Sequence, residues 1–231
     1  MDRETEGLAA RWTQLRGRVD RACREAGRDP AAVTILPVSK TFGPALVRAA
    51  LALGQHRFGE NKVQEIRDKS LALAGCAVSW VAIGHLQTNK ARDVARLVSE
   101  VQSLDRLELA QALHRRLQQE ARTIEVLVQV KTSREETKHG LPPAELPAFL
   151  DALQGFDTLR VGGLMTMATQ STDGQEVRRC FAQLRELREA ASARGHSLPR
   201  LSMGMSGDFA LAIAEGATEV RIGSALFGAR T

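Results

Sequence analysis

A chain of 231 residues with 43% hydrophobic and 26% charged residues has the composition of an ordinary globular protein, which excludes a disordered or fibrous one. Lysine plus arginine number 32 against 27 acidic residues, a net charge of +5, but the arginines are scattered (Arg11, Arg16, Arg18, Arg21, Arg24), so a solvated surface is expected and no nucleic-acid groove. With no apolar run of the roughly 18 to 20 residues that cross a bilayer, no signal-peptide core and three cysteines too far apart for a disulfide framework, a cytoplasmic protein without a membrane partner is expected.

Trp12, Leu15, Val19, Ala22, Cys23 and Ala26 recur at three- and four-residue steps and predict an opening helix that Gly27 stops. Eight strand candidates follow, at 33–39, 57–59, 78–84, 98–104, 124–131, 159–168, 200–205 and 219–227. Between them lie helical stretches. One, at 45–53, closes at Gly54; another opens with Asp105 as N-cap and Glu108 in capping-box spacing, then carries Leu107, Ala110, Leu113 and Leu117 on one side. Val177, Cys180, Phe181, Leu184, Leu187 and Ala191 form the clearest stripe, closed by Gly195. This alternation predicts an α/β protein: a single (β/α)8 TIM-type barrel over residues 1–231 with an additional N-terminal helix, an open doubly wound sheet being the competing arrangement. A barrel requires the chemistry to gather at the C-terminal ends of its strands.

The unusual residues fall there. Lys40 follows the apolar run 33–39, Glu60 and Asn61 follow Phe58-Gly59, His85 follows Ile83-Gly84, Met165 lies in the sixth strand, Ser206 follows Met203-Gly204-Met205, and Gly223 and Ser224 end the eighth strand. Burial at a strand end disfavours the lysine cation and frees an amine that attacks carbonyls, although a strand-end lysine taken alone also reads as one that snorkels to solvent. In the segment 201–208, a tight glycine turn leads into a helix that Ser206 is placed to cap, and the free N–H groups there suit a phosphate. Arg221-Ile222-Gly223-Ser224 supplies a second close approach of backbone, on the strands where barrels usually hold phosphate; either motif by itself also reads as an ordinary cap or turn. A lysine on strand one and a phosphate cradle on strands seven and eight together suggest a phosphorylated aldehyde, of which pyridoxal 5'-phosphate (PLP) is the commonest cofactor. Neither GxGxxG nor GxxxxGK[ST] occurs, the five histidines lack metal-ligand spacing, and Ser206 is not in a GxSxG elbow.

At these residues the sequence resembles the pyridoxal phosphate homeostasis proteins, a family related to the barrel domain of alanine racemase. The likeness is carried in order by Val38-Ser39-Lys40-Thr41, Phe58-Gly59-Glu60-Asn61 with Val63-Gln64-Glu65, 83–90, Gly163-Leu164-Met165, 201–206 with Asp208, Val220-Arg221-Ile222-Gly223 and Phe227-Gly228-Ala229-Arg230. The resemblance implies one barrel with PLP held as a Schiff base on Lys40. It also implies Ser206, Gly223 and Ser224 at the phosphate, Asn61 near the ring, Arg221 facing the pyridine nitrogen, and His85 and Met203 in the pocket. Lys62 departs from the family, which often has tyrosine there.

Two-base racemisation needs a second acid/base opposite Lys40, in alanine racemases a tyrosine of the second domain. The chain has no tyrosine and no room for that domain. Expected, therefore, is a monomeric protein that buffers PLP and delivers it to PLP-dependent apoenzymes without fast amino-acid turnover. The alternatives are a monodomain PLP-dependent amino-acid racemase using a group such as His85, a Schiff-base aldolase for a phosphorylated sugar, or a nucleic-acid partner.

Overall fold

The computed structural model describes residues 3–228. The chain runs α1 (Arg3–Glu25), β1 (Thr34–Pro37), α2 (Pro44–Ala52), β2 (Arg57–Glu60), α3 (Val63–Ala72), β3 (Ser79–Ala82), α4 (Ala91–Leu97), β4 (Val98–Leu104) and α5 (Leu107–Gln119). It continues through β5 (Ile124–Gln129), α6 (Leu146–Leu153), β6 (Leu159–Met165), α7 (Gly174–Ala193), β7 (Arg200–Ser202), α8 (Phe209–Ala214), β8 (Glu219–Ile222) and α9 (Ser224–Phe227). All the paired strands are parallel, in the order β1-β8-β7-β6-β5-β4-β3-β2. The expected barrel is what the strands build, and α1 packs its buried Leu15, Val19, Ala22 and Cys23 against the outer helices.

The ladder begins at β1 and finishes at β2, so closure depends on how these two meet. They touch just beyond the end of β1, where Val38 bridges Gly59 and the Ser39 N–H donates to the Gly59 carbonyl at 3.0 Å. A side chain on Gly59 would lie 3.2 to 3.3 Å from Ile83, Leu36 and Val38, so its absence lets the seam close.

The barrel axis is not wholly apolar. At the N-terminal end Arg57 reaches Glu100 and Glu219, each at 2.6 Å, and Arg200 reaches Glu100 and Glu219 at 2.9 Å and Glu125 at 2.7 Å. Gln102 donates to Glu100 and Glu219, and Ser202 donates to Gln102 at 2.7 Å. Arg221 stands on top of this column, donating to the Ser202 carbonyl and hydroxyl and to the Thr166 carbonyl at 2.7 to 2.8 Å.

Three local expectations are corrected. The eighth strand stops at Ile222, and 224–227 is the single helical turn α9, because Gly223 (φ −108°, ψ −81°) leaves the extended conformation; four apolar-rich residues are too few to show their period. Asp105 does not cap α5, whose N-cap is the extended Arg106; Asp105 pairs with Arg106 at 2.6 Å instead. Ser206 does not cap the following helix either. α8 starts after Asp208, whose carboxylate accepts the Met205 N–H at 2.5 Å. Ala229 and Arg230 of the last family motif lie outside the described residues.

Candidate functional site

A cavity of about 350 Å³ opens at the C-terminal ends of the strands. Lys40 enters it from the turn after β1, Asn61 from the residue after β2, and His85 from the loop after β3. Ser206 and Gly207 come from the turn after β7, Arg221 from β8, and Gly223 and Ser224 from the start of α9. Seven of the eight expected pocket residues therefore share one cavity. Met203 is the exception: it is fully buried and does not line the wall, because Gly204 in the left-handed region (φ +94°) turns the chain so that Met205 faces the cavity instead. A side chain on Gly204 would also sit 2.6 Å from the Ala212 methyl, so this turn requires glycine.

Two other rim residues turn away. Glu60, the last residue of β2, points into a buried cluster, and Met165 is buried at the end of β6 while Met167 reaches the cavity. His139 and Gln129 line the cavity and were not expected. His139 stacks on His85 with ring centroids 4.0 Å apart; a loop after β5 brings together two residues with no periodic relation. Gln129 ends β5, a rim position that the strand-end rule marks, and donates to the His139 carbonyl at 2.8 Å.

Lys40 and Arg221 line the cavity, and none of the described lining residues is an Asp or Glu. Burial brings the Arg221 guanidinium down to about 10, against the pull of Glu219 and Asp208, so it stays charged at neutral pH. Burial and the neighbouring His139 lower the pKa of His85, with Asp105, 3.6 Å from Nδ1, pulling the other way. Burial raises Asp208, opposed by the Met205 N–H and Arg221. At the far wall, the Ser206 hydroxyl faces the Ala225 N–H at 3.5 Å, so it joins the turn after β7 to α9. Small serine and glycine residues from two loops there leave room and N–H donors for an anionic group.

This arrangement fits a phosphorylated aldehyde: an amine, a guanidinium, and hydroxyl and backbone donors share one cavity, and no carboxylate occurs among its described lining residues. Among the described residues no group of three or more metal-ligating side chains occurs, and no helix is long and apolar enough to cross a membrane.

Comparison with known proteins agrees with the geometry. The family model described as alanine racemase, N-terminal domain, matches residues 13–231. A pyridoxal phosphate homeostasis protein of Pseudomonas aeruginosa is 42% identical over 223 residues, covering 96% of both chains. That of Aquifex aeolicus is 39% identical over 221 residues, covering 95% of this chain and 97% of its own. The structure of PipY from Synechococcus elongatus with PLP bound superposes with a TM-score of 0.84 at 35% identity, covering 96% of this chain and all of that one. An alanine racemase of Clostridium difficile has a TM-score of 0.76 at 13% identity and covers 96% of this chain but 56% of its own, a likeness of fold. The chain belongs to the pyridoxal phosphate homeostasis protein family, built on the alanine racemase N-terminal domain.

Proposed function

We propose that the chain binds PLP as a Schiff base on Lys40 and serves PLP homeostasis in the cytoplasm, buffering the cofactor and delivering it to apoenzymes as a monomeric barrel without fast amino-acid turnover. The observation that carries this is that Lys40, Arg221, Ser206, Gly223 and Ser224 line one cavity at the C-terminal ends of the strands. When bound, PLP supplies an aldehyde for reversible capture and a ring that withdraws electrons from an attached amine.

Ser206, Gly223 and Ser224 hold the phosphate, Asn61 lies beside the ring, and His85 with His139 borders the open side. Arg221 faces the pyridine nitrogen. An arginine whose pKa stays near 10 keeps its proton, so the ring nitrogen gains a hydrogen bond and no proton, and the ring remains a weak electron sink. Retention is thereby separated from carbanion chemistry.

The test is a pair of assays on purified protein. PLP titration is expected to give a saturable absorbance band, while alanine and other amino acids racemise no faster than in protein-free PLP. Racemisation at ordinary enzymatic rates, lost in Lys40→Ala, would establish the racemase alternative, with His85 as the second base to examine.

A further inference from the structure

The peptide units on either side of Lys40 are held by side chains outside the cavity, in addition to the Phe42 N–H, which donates to the Ser39 carbonyl at 3.0 Å. The Ser39 carbonyl accepts from the Lys69 ammonium at 2.8 Å, and the Ser39 hydroxyl donates to Glu60 Oε1 at 2.6 Å. The same Glu60 oxygen accepts from Lys69 at 2.5 Å. Beyond Lys40, the Thr41 N–H donates to Glu65 Oε2 at 2.8 Å, which lies 3.3 Å from the Lys69 nitrogen. Three ammonium protons thus meet three acceptors: the carbonyl before Lys40, the carboxylate that fixes the N–H after it, and the last residue of β2.

Two further observations make this cluster more than an ion pair. Thr41 has φ +70°, a left-handed conformation that a β-branched residue adopts only when its surroundings hold it, and the contact of its N–H with Glu65 is such a hold. The cluster also sits at the β1–β2 seam, where the ladder is reduced to one bridge and one hydrogen bond; the end of β1 is otherwise held from the β8 side, by the Val38 N–H on the Ile222 carbonyl at 2.8 Å, and by the Phe42 N–H on the Ser39 carbonyl at 3.0 Å. Lys69 is buried and Glu60 fully so, with Glu60 Oε2 lacking a hydrogen-bond partner among the described residues, and neither Lys69 nor Glu65 lines the cavity.

We propose that Lys69 and Glu65, one turn apart on α3, are positioning residues for Lys40: they hold the strained turn that aims its amine at the carbonyl carbon of a bound aldehyde. The proposal rests on the Schiff-base reading of Lys40. In that step the deprotonated Nζ forms a bond to the aldehyde carbon, the carbonyl oxygen departs as water after taking up two protons, and a C=N bond remains. The clamp takes no part in bond making. It fixes the direction of approach, and misplacement by about 1 Å in such a step costs on the order of 100-fold.

The test compares a ligand that forms the bond with one that cannot. Glu65→Ala and Lys69→Met are each titrated with PLP, following the Schiff-base absorbance and the borohydride-fixed fraction mapped to Lys40. They are also titrated with 4'-deoxypyridoxine 5'-phosphate, which keeps ring and phosphate but has no aldehyde. Expected is a loss of about tenfold or more in the rate of Schiff-base formation, with affinity for the deoxy analogue within about twofold of the parent. Parental Schiff-base kinetics, or an equal loss for both ligands, would overturn the positioning role. Should Lys69→Met fail to fold, Glu65→Ala, at a partly exposed position, decides the matter. If the unsubstituted protein forms no borohydride-stable adduct at Lys40, the Schiff-base reading itself has failed.

Discussion

At the N-terminal end of the barrel Arg57 and Arg200 meet Glu100, Glu125 and Glu219; at the C-terminal end Lys40 and Arg221 face a cavity whose described lining has no carboxylate. At the lower end the cations meet carboxylates in direct contact. At the upper end Glu219 and Asp208 act on Arg221 from outside the cavity lining, and the lining itself offers cations and N–H donors to an anionic ligand. The column through Gln102 and Ser202 joins the two, and the lower network fixes the Ser202 hydroxyl that orients Arg221. One fold therefore divides its charges between stability below and binding above, as barrels generally do.

Substitutions that separate the two ends test this division. The largest effect belongs below: Glu219→Ala leaves Arg57 and Arg200 short of a buried partner and is expected to lower unfolding free energy by about 3 to 5 kcal/mol in urea titrations. A loss under 1 kcal/mol would show that the lower network is dispensable. Above, Ser206→Ala removes one long hydrogen bond to Ala225, so it is expected to lower stability by less than about 1 kcal/mol and to weaken PLP retention by roughly 1 to 3 kcal/mol if its hydroxyl bonds the phosphate. Unchanged affinity would assign the phosphate to backbone N–H groups alone.

The smallest effect is in pH. Burial pushes the Glu219 carboxyl up, but Arg57 and Arg200 outweigh it and hold it below the usual range. Its folded pKa thus lies under its unfolded value, so its contribution is complete above about pH 4.3 and lost as pH falls through the folded pKa. Glu219→Gln should flatten the acid fall in stability by at most one proton, about 1.4 kcal/mol per pH unit. Equal slopes in the parent and the variant would remove Glu219 from the acid response.

What the sequence made legible follows the range of each interaction. The strands showed themselves because their apolar runs end at glycine or polar residues, and strand-end position brought Lys40, Asn61, His85 and Ser206 to one rim, while Arg221, inside β8, was expected there from the family resemblance. Contacts made across loops did not show: His139 reaches His85 over 54 positions, and Lys69 reaches Ser39 from a different element. Nor did choices settled by a single dihedral. Gly204 puts Met205 rather than Met203 on the wall, Gly223 ends β8 early, and an extended Arg106 moves the start of α5 past Asp105.

The most direct test is borohydride reduction of the PLP-loaded protein followed by peptide mapping, with Lys40→Ala alongside. A single pyridoxyl label on Lys40, absent from a variant that melts at the parent's temperature, is the predicted result. A label on another lysine, or a stable adduct retained by the variant, would contradict it.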